Sequence, residues 1–254
     1  MAQARFDMGS AFAEARALLR SHRDLVLAIA GVFLFLPAVL VGIFGPPEPD
    51  FAGQTTDGVS AMMWSYYSEL APYALAAGIV SLIGTIAISR LYLAPAGVSV
   101  GGALGFALSV FLTVLIAALI AGVGIGIGLI LLLIPGLYLY ARLSLVTPHV
   151  ADTGEKNPLA ALSASWNLTK GNGWVLLGYL LVVIIIGVIA VLLVVGVTGA
   201  LVTQILPDEG GRVAAAVIGA LINTIFSVVL IAVLAGAYRQ LTGSVAVAAN
   251  PDSV

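Results

Sequence analysis

Between Val100 and Ala141 the chain carries no charged residue. As one helix that run would measure about 60 Å at 1.5 Å per residue, roughly twice the ~30 Å hydrocarbon core of a bilayer. Two membrane passes joined by a tight turn accommodate such a length, and a soluble core does not. Composition agrees: 61% of the 254 residues are hydrophobic and 9% are charged, against roughly 25% charged in an ordinary soluble domain. Mean hydropathy is +1.15. A soluble globular fold is excluded, and the sequence predicts an all-α fold: a single-domain polytopic membrane helix bundle.

Stretches of about 20 apolar residues, enough to cross a bilayer as a helix, recur along the chain. They predict six transmembrane helices at about 25–44, 73–93, 100–121, 125–146, 174–197 and 213–237. The turn inside the long run is placed at Gly122–Gly128, where alternate glycines free the backbone. The first segment reads as an uncleaved span. Its apolar stretch exceeds the 7–15 residues of a signal-peptide h-region, and no A-x-A-like site follows. Six spans put every basic residue except Arg212 on one side: Arg5, Arg16, Arg20, Arg23, Arg90, Arg142, Lys156, Lys170 and Arg239. The positive-inside rule then makes both termini cytoplasmic.

No connecting segment is long enough to fold as a domain, but three read as short interfacial amphipathic helices. Over 8–23, Met8, Phe12, Ala15, Leu19 and His22 form a mostly apolar stripe flanked by Arg16, Arg20 and Arg23. This is the pattern of a helix in the interface, with arginines toward phosphates. It serves either as a topology anchor or as a contact for an anionic lipid or partner. Residues 60–70, rich in Met, Trp and Tyr, suit the headgroup level. Over 157–170, Asn157 is a suitable N-cap, Pro158 suits N1, and Gly171 is a natural stop. Leu159, Leu162 and Trp166 share one face; Ala161, Ala164 and Leu168 lie opposite, and only Lys170 is charged. The expectation is that the Trp166 stripe docks on the cytoplasmic ends of the spans.

The 135–181 segment resembles a bacterial family, the glycerophosphoryl diester phosphodiesterase membrane domain. The matching residues are Pro135, Gly136, Tyr138 and Arg142, then Ala160, Leu162, Ser165, Trp166, Leu168, Thr169, Gly171 and Trp174. The resemblance implies a six-span bundle in a bacterial cytoplasmic (inner) membrane, and it implies no activity. The catalytic barrel found in some relatives needs about 250 residues of its own. Internally, Arg90, Arg142 and Arg239 each close a predicted even-numbered span beside Tyr92, Tyr140 and Tyr238. Either a threefold helix-plus-hairpin repeat or the shared need for an Arg/Tyr anchor accounts for this.

Chemical motifs are sparse. There is no cysteine, and the only histidines are His22 and His149. His149, Asp152 and Glu155 read as a solvated loop rather than as metal ligands, so no metal and no cofactor is expected. Gly97, Gly101 and Gly105 have the spacing of close helix packing in lipid. Asn223, with Thr224 and Ser227, is the candidate intramembrane polar contact, read as an interhelical hydrogen bond. No acidic residue or histidine falls inside a predicted span, which argues against ion-coupled transport. A net charge of −2 argues against nucleic acid as partner. The expected function is a non-enzymatic membrane scaffold or accessory protein. Its expected partners are membrane lipids, or another membrane protein, with Arg16, Arg20, Arg23, Trp166 and Lys170 as candidate contacts. The alternative is a carrier or flippase-like pathway for an apolar or lipid substrate.

Overall fold

The computed structural model describes residues 6–47, 49, 51, 53, 55–94, 97–205 and 209–249; the side chains of 195, 197–205, 209 and 244–249 lie outside that description. The described residues form helices and connections, with no strand among them. Five helical stretches are long and apolar enough to cross a membrane: Arg23–Phe44, Thr56–Leu93, Val100–Leu131, Gly173–Val194 and Gly210–Gly243.

α1 (Met8–Ser21) starts on Asp7, whose carboxylate accepts the Ser10 amide at 2.7 Å. The first apolar stretch is broken. α2 (Arg23–Ala30) passes into a π-helical turn at Gly31–Phe35 and then α3 (Leu36–Phe44). Pro37 has no N–H for the carbonyl of Phe33 four residues earlier. The π turn spreads that defect, and Leu36 donates back to Gly31 across five residues.

α4 (Thr56–Leu93) is one continuous helix, capped by the Thr55 hydroxyl, which accepts the Gly58 amide at 3.2 Å. The separate interfacial helix expected at 60–70 is therefore the first part of a long helix. Pro72 lies inside it and costs one hydrogen bond, to the carbonyl of Ser68. That stretch is exposed, so the carbonyl is open to other donors.

α5 (Val100–Leu131) runs straight through Gly122–Gly128, so the turn expected there is corrected. The chain turns at Leu132, in extended conformation, and returns as α6 (Leu133–Leu143). Pro135 explains the position, because its ring would clash with the carbonyl of Leu131 if the helix continued. As third residue of α6 it costs nothing, since that N–H has no intrahelical partner. A Cβ on Gly128 would sit 2.9 Å from Gly136 Cα, and one on Gly136 would sit 2.5 Å from Leu129 N. These two glycines let the hairpin close. At 11 residues, α6 is about 16 Å long, half the hydrocarbon core.

α7 (Val146–Thr153) and α8 (Pro158–Leu168) are short helices; α9 (Gly173–Ile205) and α10 (Glu209–Ala249) are long. His149 and Asp152 thus lie on a helix rather than in the expected loop, stopped at Gly154 with φ +72°. α8 follows the sequence expectation: the Asn157 side chain accepts the amides of Leu159 and Ala160, and Gly171 adopts φ +79°.

Burial is concentrated at one end. The buried residues of α4 all lie in its last three turns, between Gly84 and Tyr92, and those of α5 fall between Ala103 and Ala117. α10 joins two apolar clusters. One holds α4, α5 and the first apolar stretch; the other holds α1, α6 and α9. α1, α7 and α8 close over this packed end. Gly101 and Gly105 have nothing within contact distance of a Cβ, so the glycine stripe does not pack as expected. Ala103, Ala107, Val110, Val114 and Ala117 form the buried face instead.

At the opposite end the helices part. Val32, Leu36, Leu40, Phe44, Tyr73, Ala77 and Val80 line an apolar cleft of about 650 Å³ between the first apolar stretch and α4.

Candidate functional site

The polar chemistry gathers at the packed end, and Arg90 of α4, Arg142 of α6 and Arg239 of α10 do different work there. Arg90 donates to the carbonyls of Ala151 and Asp152 at 2.9 and 3.0 Å, capping α7, and lies 4.3 Å over the Phe106 ring. Arg239 donates to the carbonyl of Tyr92, capping α4, and pairs with Glu14 of α1 at 3.8 Å. Tyr238 donates to Asp152 at 2.8 Å. These contacts tie α1, α4, α7 and α10 together.

Arg142 is different. It is buried, its guanidinium carbon lies 4.1 Å over the Trp166 ring and 5.9 Å from the Tyr138 centroid, and its Nε has no hydrogen-bond partner among the described residues. Its carbonyl accepts the hydroxyls of Ser165 at 2.8 Å and Thr169 at 3.3 Å. Gly173, at the start of α9, permits the contact: a Cβ there would fall 2.9 Å from Arg142 Cδ and 2.8 Å from the Tyr138 hydroxyl. Trp174 stacks on Tyr138 at 4.8 Å and is exposed.

The docking face of α8 corrects the sequence expectation. Ala161, Ser165 and Thr169 are fully buried, whereas Leu159 is 63% exposed and Trp166 41%. Small residues let two backbones approach closely, and the two hydroxyls satisfy a carbonyl at the end of α6. Trp166 is held at the rim by Arg142 rather than sunk between helices. Lys170 is exposed.

The face of α1 is likewise shifted. Ala11, Ala15 and Leu18 are buried against α10, where a Cβ on Gly236 would lie 2.9 Å from the carbonyl oxygen of Ala11. Phe6 and Phe12 pack edge-on against Tyr179 of α9, at 5.5 and 5.1 Å. Arg16, Arg20 and Arg23 are exposed along the outer side.

Asn223 does not make the expected interhelical bond: it is exposed, with no side-chain hydrogen bond among the described residues. Its neighbour Thr224 is buried and donates within its own helix, to Ala220 at 2.7 Å. His149 sits edge-on to Tyr238 with ring centroids 6.2 Å apart, and its Nδ1 has no hydrogen-bond partner among the described residues. Burial pulls its pKa below the usual value, against the opposing pull of Asp152 and Glu155. Among the described residues, no three His, Asp or Glu side chains are grouped to hold a metal ion.

Sequence reasoning named Trp166 and Lys170 as candidate contacts and read Arg142 only as an anchor. The available signal was the pairing of Ser165 with Thr169, four residues apart, which marks a polar buried edge on α8.

The family model of a domain of unknown function, DUF7847, matches residues 21–241, and the chain belongs to that family. No curated protein and no solved structure matches the chain.

Proposed function

We propose that this DUF7847 member is a non-enzymatic integral membrane scaffold or accessory protein, multi-pass in the bacterial cytoplasmic membrane, which binds lipid or a partner membrane protein. One observation carries the reading. Arg16, Arg20, Arg23, Trp166, Trp174 and Lys170 are all exposed, and all belong to elements at the packed end of the bundle. Arginine with tryptophan at one level is the chemistry of a lipid headgroup contact. In this reading that end is cytoplasmic, and the α5–α6 hairpin supplies the third and fourth of six passes, α6 being the half-length one. The resemblance of 135–181 to the phosphodiesterase membrane domain belongs to the same proposal.

The test is mass-spectrometric identification of what leaves the membrane with the protein in mild detergent. Enrichment of one lipid class or a stoichiometric protein partner is expected; finding neither would overturn the reading. The apolar cleft favours a second one, a carrier or flippase-like pathway for an apolar or lipid substrate. Purified protein in vesicles would then move a fluorescent lipid between leaflets faster than empty vesicles, and the scaffold reading expects no such gain.

A further inference from the structure

Among the described residues, Arg142 is the only charged side chain that is fully buried. No acidic side chain among them pairs with it, and its Nε is enclosed without an acceptor. Neither α6, α8 nor the connection from α8 to α9 carries an Asp or Glu, so no acid stands on the segments that hold Arg142. A desolvated guanidinium without a counter-charge is costly, and stacking on Trp166 offsets only part of that cost.

The local backbone makes the deficit larger. α9 begins at Gly173, pressed against the Arg142 side chain. The start of a helix carries free N–H donors and the positive end of its dipole. The amide of Leu176, one turn in, donates back to Asn172 at 2.9 Å. Lys170, three residues ahead of the helix, adds an exposed ammonium. The buried guanidinium and the helix start therefore meet, with Lys170 three residues away in sequence, and no carboxylate among the described residues pairs with Arg142.

We propose that Arg142, the first turn of α9 and Lys170 bind the phosphate of an anionic phospholipid, with Trp166 and Trp174 flanking its glycerol region. The inference rests on the lipid-binding reading above and names the ligand class. A phosphate fits both a planar guanidinium and the amides of a helix start. The exposed tryptophans set the level as the membrane interface. An anionic headgroup is favoured over a zwitterionic one because its net charge offsets a buried guanidinium that no carboxylate among the described residues pairs with.

The experiment uses the full chain in detergent with Trp64→Phe, so that emission reports Trp166 and Trp174. It is titrated with phosphatidylglycerol, phosphatidylcholine and inorganic phosphate. Phosphatidylglycerol is expected to bind about tenfold or more tighter than phosphatidylcholine. Arg142→Gln should lose about tenfold or more of that affinity, as removal of a charge-assisted contact does. Lys170→Glu, at an exposed position that does not threaten folding, should lose about threefold or more. Folded Arg142→Gln binding like the parent, or Lys170→Glu unchanged where Arg142→Gln does not fold, overturns the proposal. So does equal binding of the two lipids. Saturation by inorganic phosphate without preference for the lipid assigns the site to a soluble phosphate and overturns the lipid assignment. If the selectivity fails while lipid or partner still co-purifies, only this site is lost; if nothing co-purifies, the scaffold reading itself is lost.

Discussion

At the scale of single residues, the α8 interface inverts the usual expectation that a tryptophan is the anchor. Ala161 is fully buried, so Ala161→Leu should overpack the α5–α8 contact and cost about 1–3 kcal/mol. Leu159→Ala, at a largely exposed position, should stay within about 0.5 kcal/mol. Reversible unfolding in mixed micelles measures both, and the reverse ranking would restore the Trp166 stripe as the docking face. His149 gives a second residue-scale test. Its depressed pKa means that the unfolded chain binds more protons than the folded one just below the ordinary histidine range. Stability should therefore be complete above about pH 6.5 and fall as pH drops from there through the folded pKa. His149→Gln should flatten that slope between neutral and mildly acidic pH. An unchanged slope would assign it to another group. Why the sequence misled at α8 is visible in the side chains. A helical wheel ranks faces by apolar area, and Trp166 dominates any such ranking. Close approach is decided by the smallest side chains, Ala161 and Ser165, and by a carbonyl acceptor on Arg142 that no wheel displays.

At the scale of elements, the long apolar helices were legible because about 20 uncharged residues leave few alternatives. Their joints were not. Gly122–Gly128 looks like a turn by propensity, yet helical hydrogen bonds face no competition from water in lipid, so glycine there is tolerated. The break falls at Leu132, just ahead of Pro135, whose ring and missing N–H disfavour continuation. Gly126, where an added Cβ would meet only open space, should accept alanine with a gain of up to about 1 kcal/mol. Gly136→Ala should destabilise the hairpin, since its Cβ would strike the Leu129 backbone. Thermal unfolding in detergent separates the two, and a loss at Gly126 would return the turn to the glycine run. The placement of α1 was half legible: the amphipathic helix was expected, and its partner α10 was not, because Ala11 and Ala15 offer little area to a hydropathy count. Gly236→Val should cost about 1–3 kcal/mol by crowding Ala11 and Ala15. It should also release α1 to trypsin at Arg16 and Arg20. Continued protection would mean that α1 is held by Phe6 and Phe12 alone.

At the scale of the whole molecule, packing is uneven: one end is tied by Arg90, Arg239 and Tyr238, and the other opens into an apolar cleft. The proposed orientation predicts that single cysteines at positions 20 and 160 are labelled only from the cytoplasmic side, and one at position 55 only from outside. Labelling of 160 from outside would break the six-pass topology. The α5–α6 hairpin has a further consequence for biosynthesis. Its tip, Ile130 to Ile134, is five consecutive exposed aliphatic residues, and no charge lies anywhere between Val100 and Ala141. Most loops on the far face of a membrane must be driven across with their polar groups, which is where insertion is slow and orientation is contested. Here there is no hydrophilic cargo to translocate. In the proposed orientation, once the ribosome has released Ala141, the two arms would fold together and slide sideways into lipid as one greasy unit, their direction set by Arg90 and Arg142, which would stay behind.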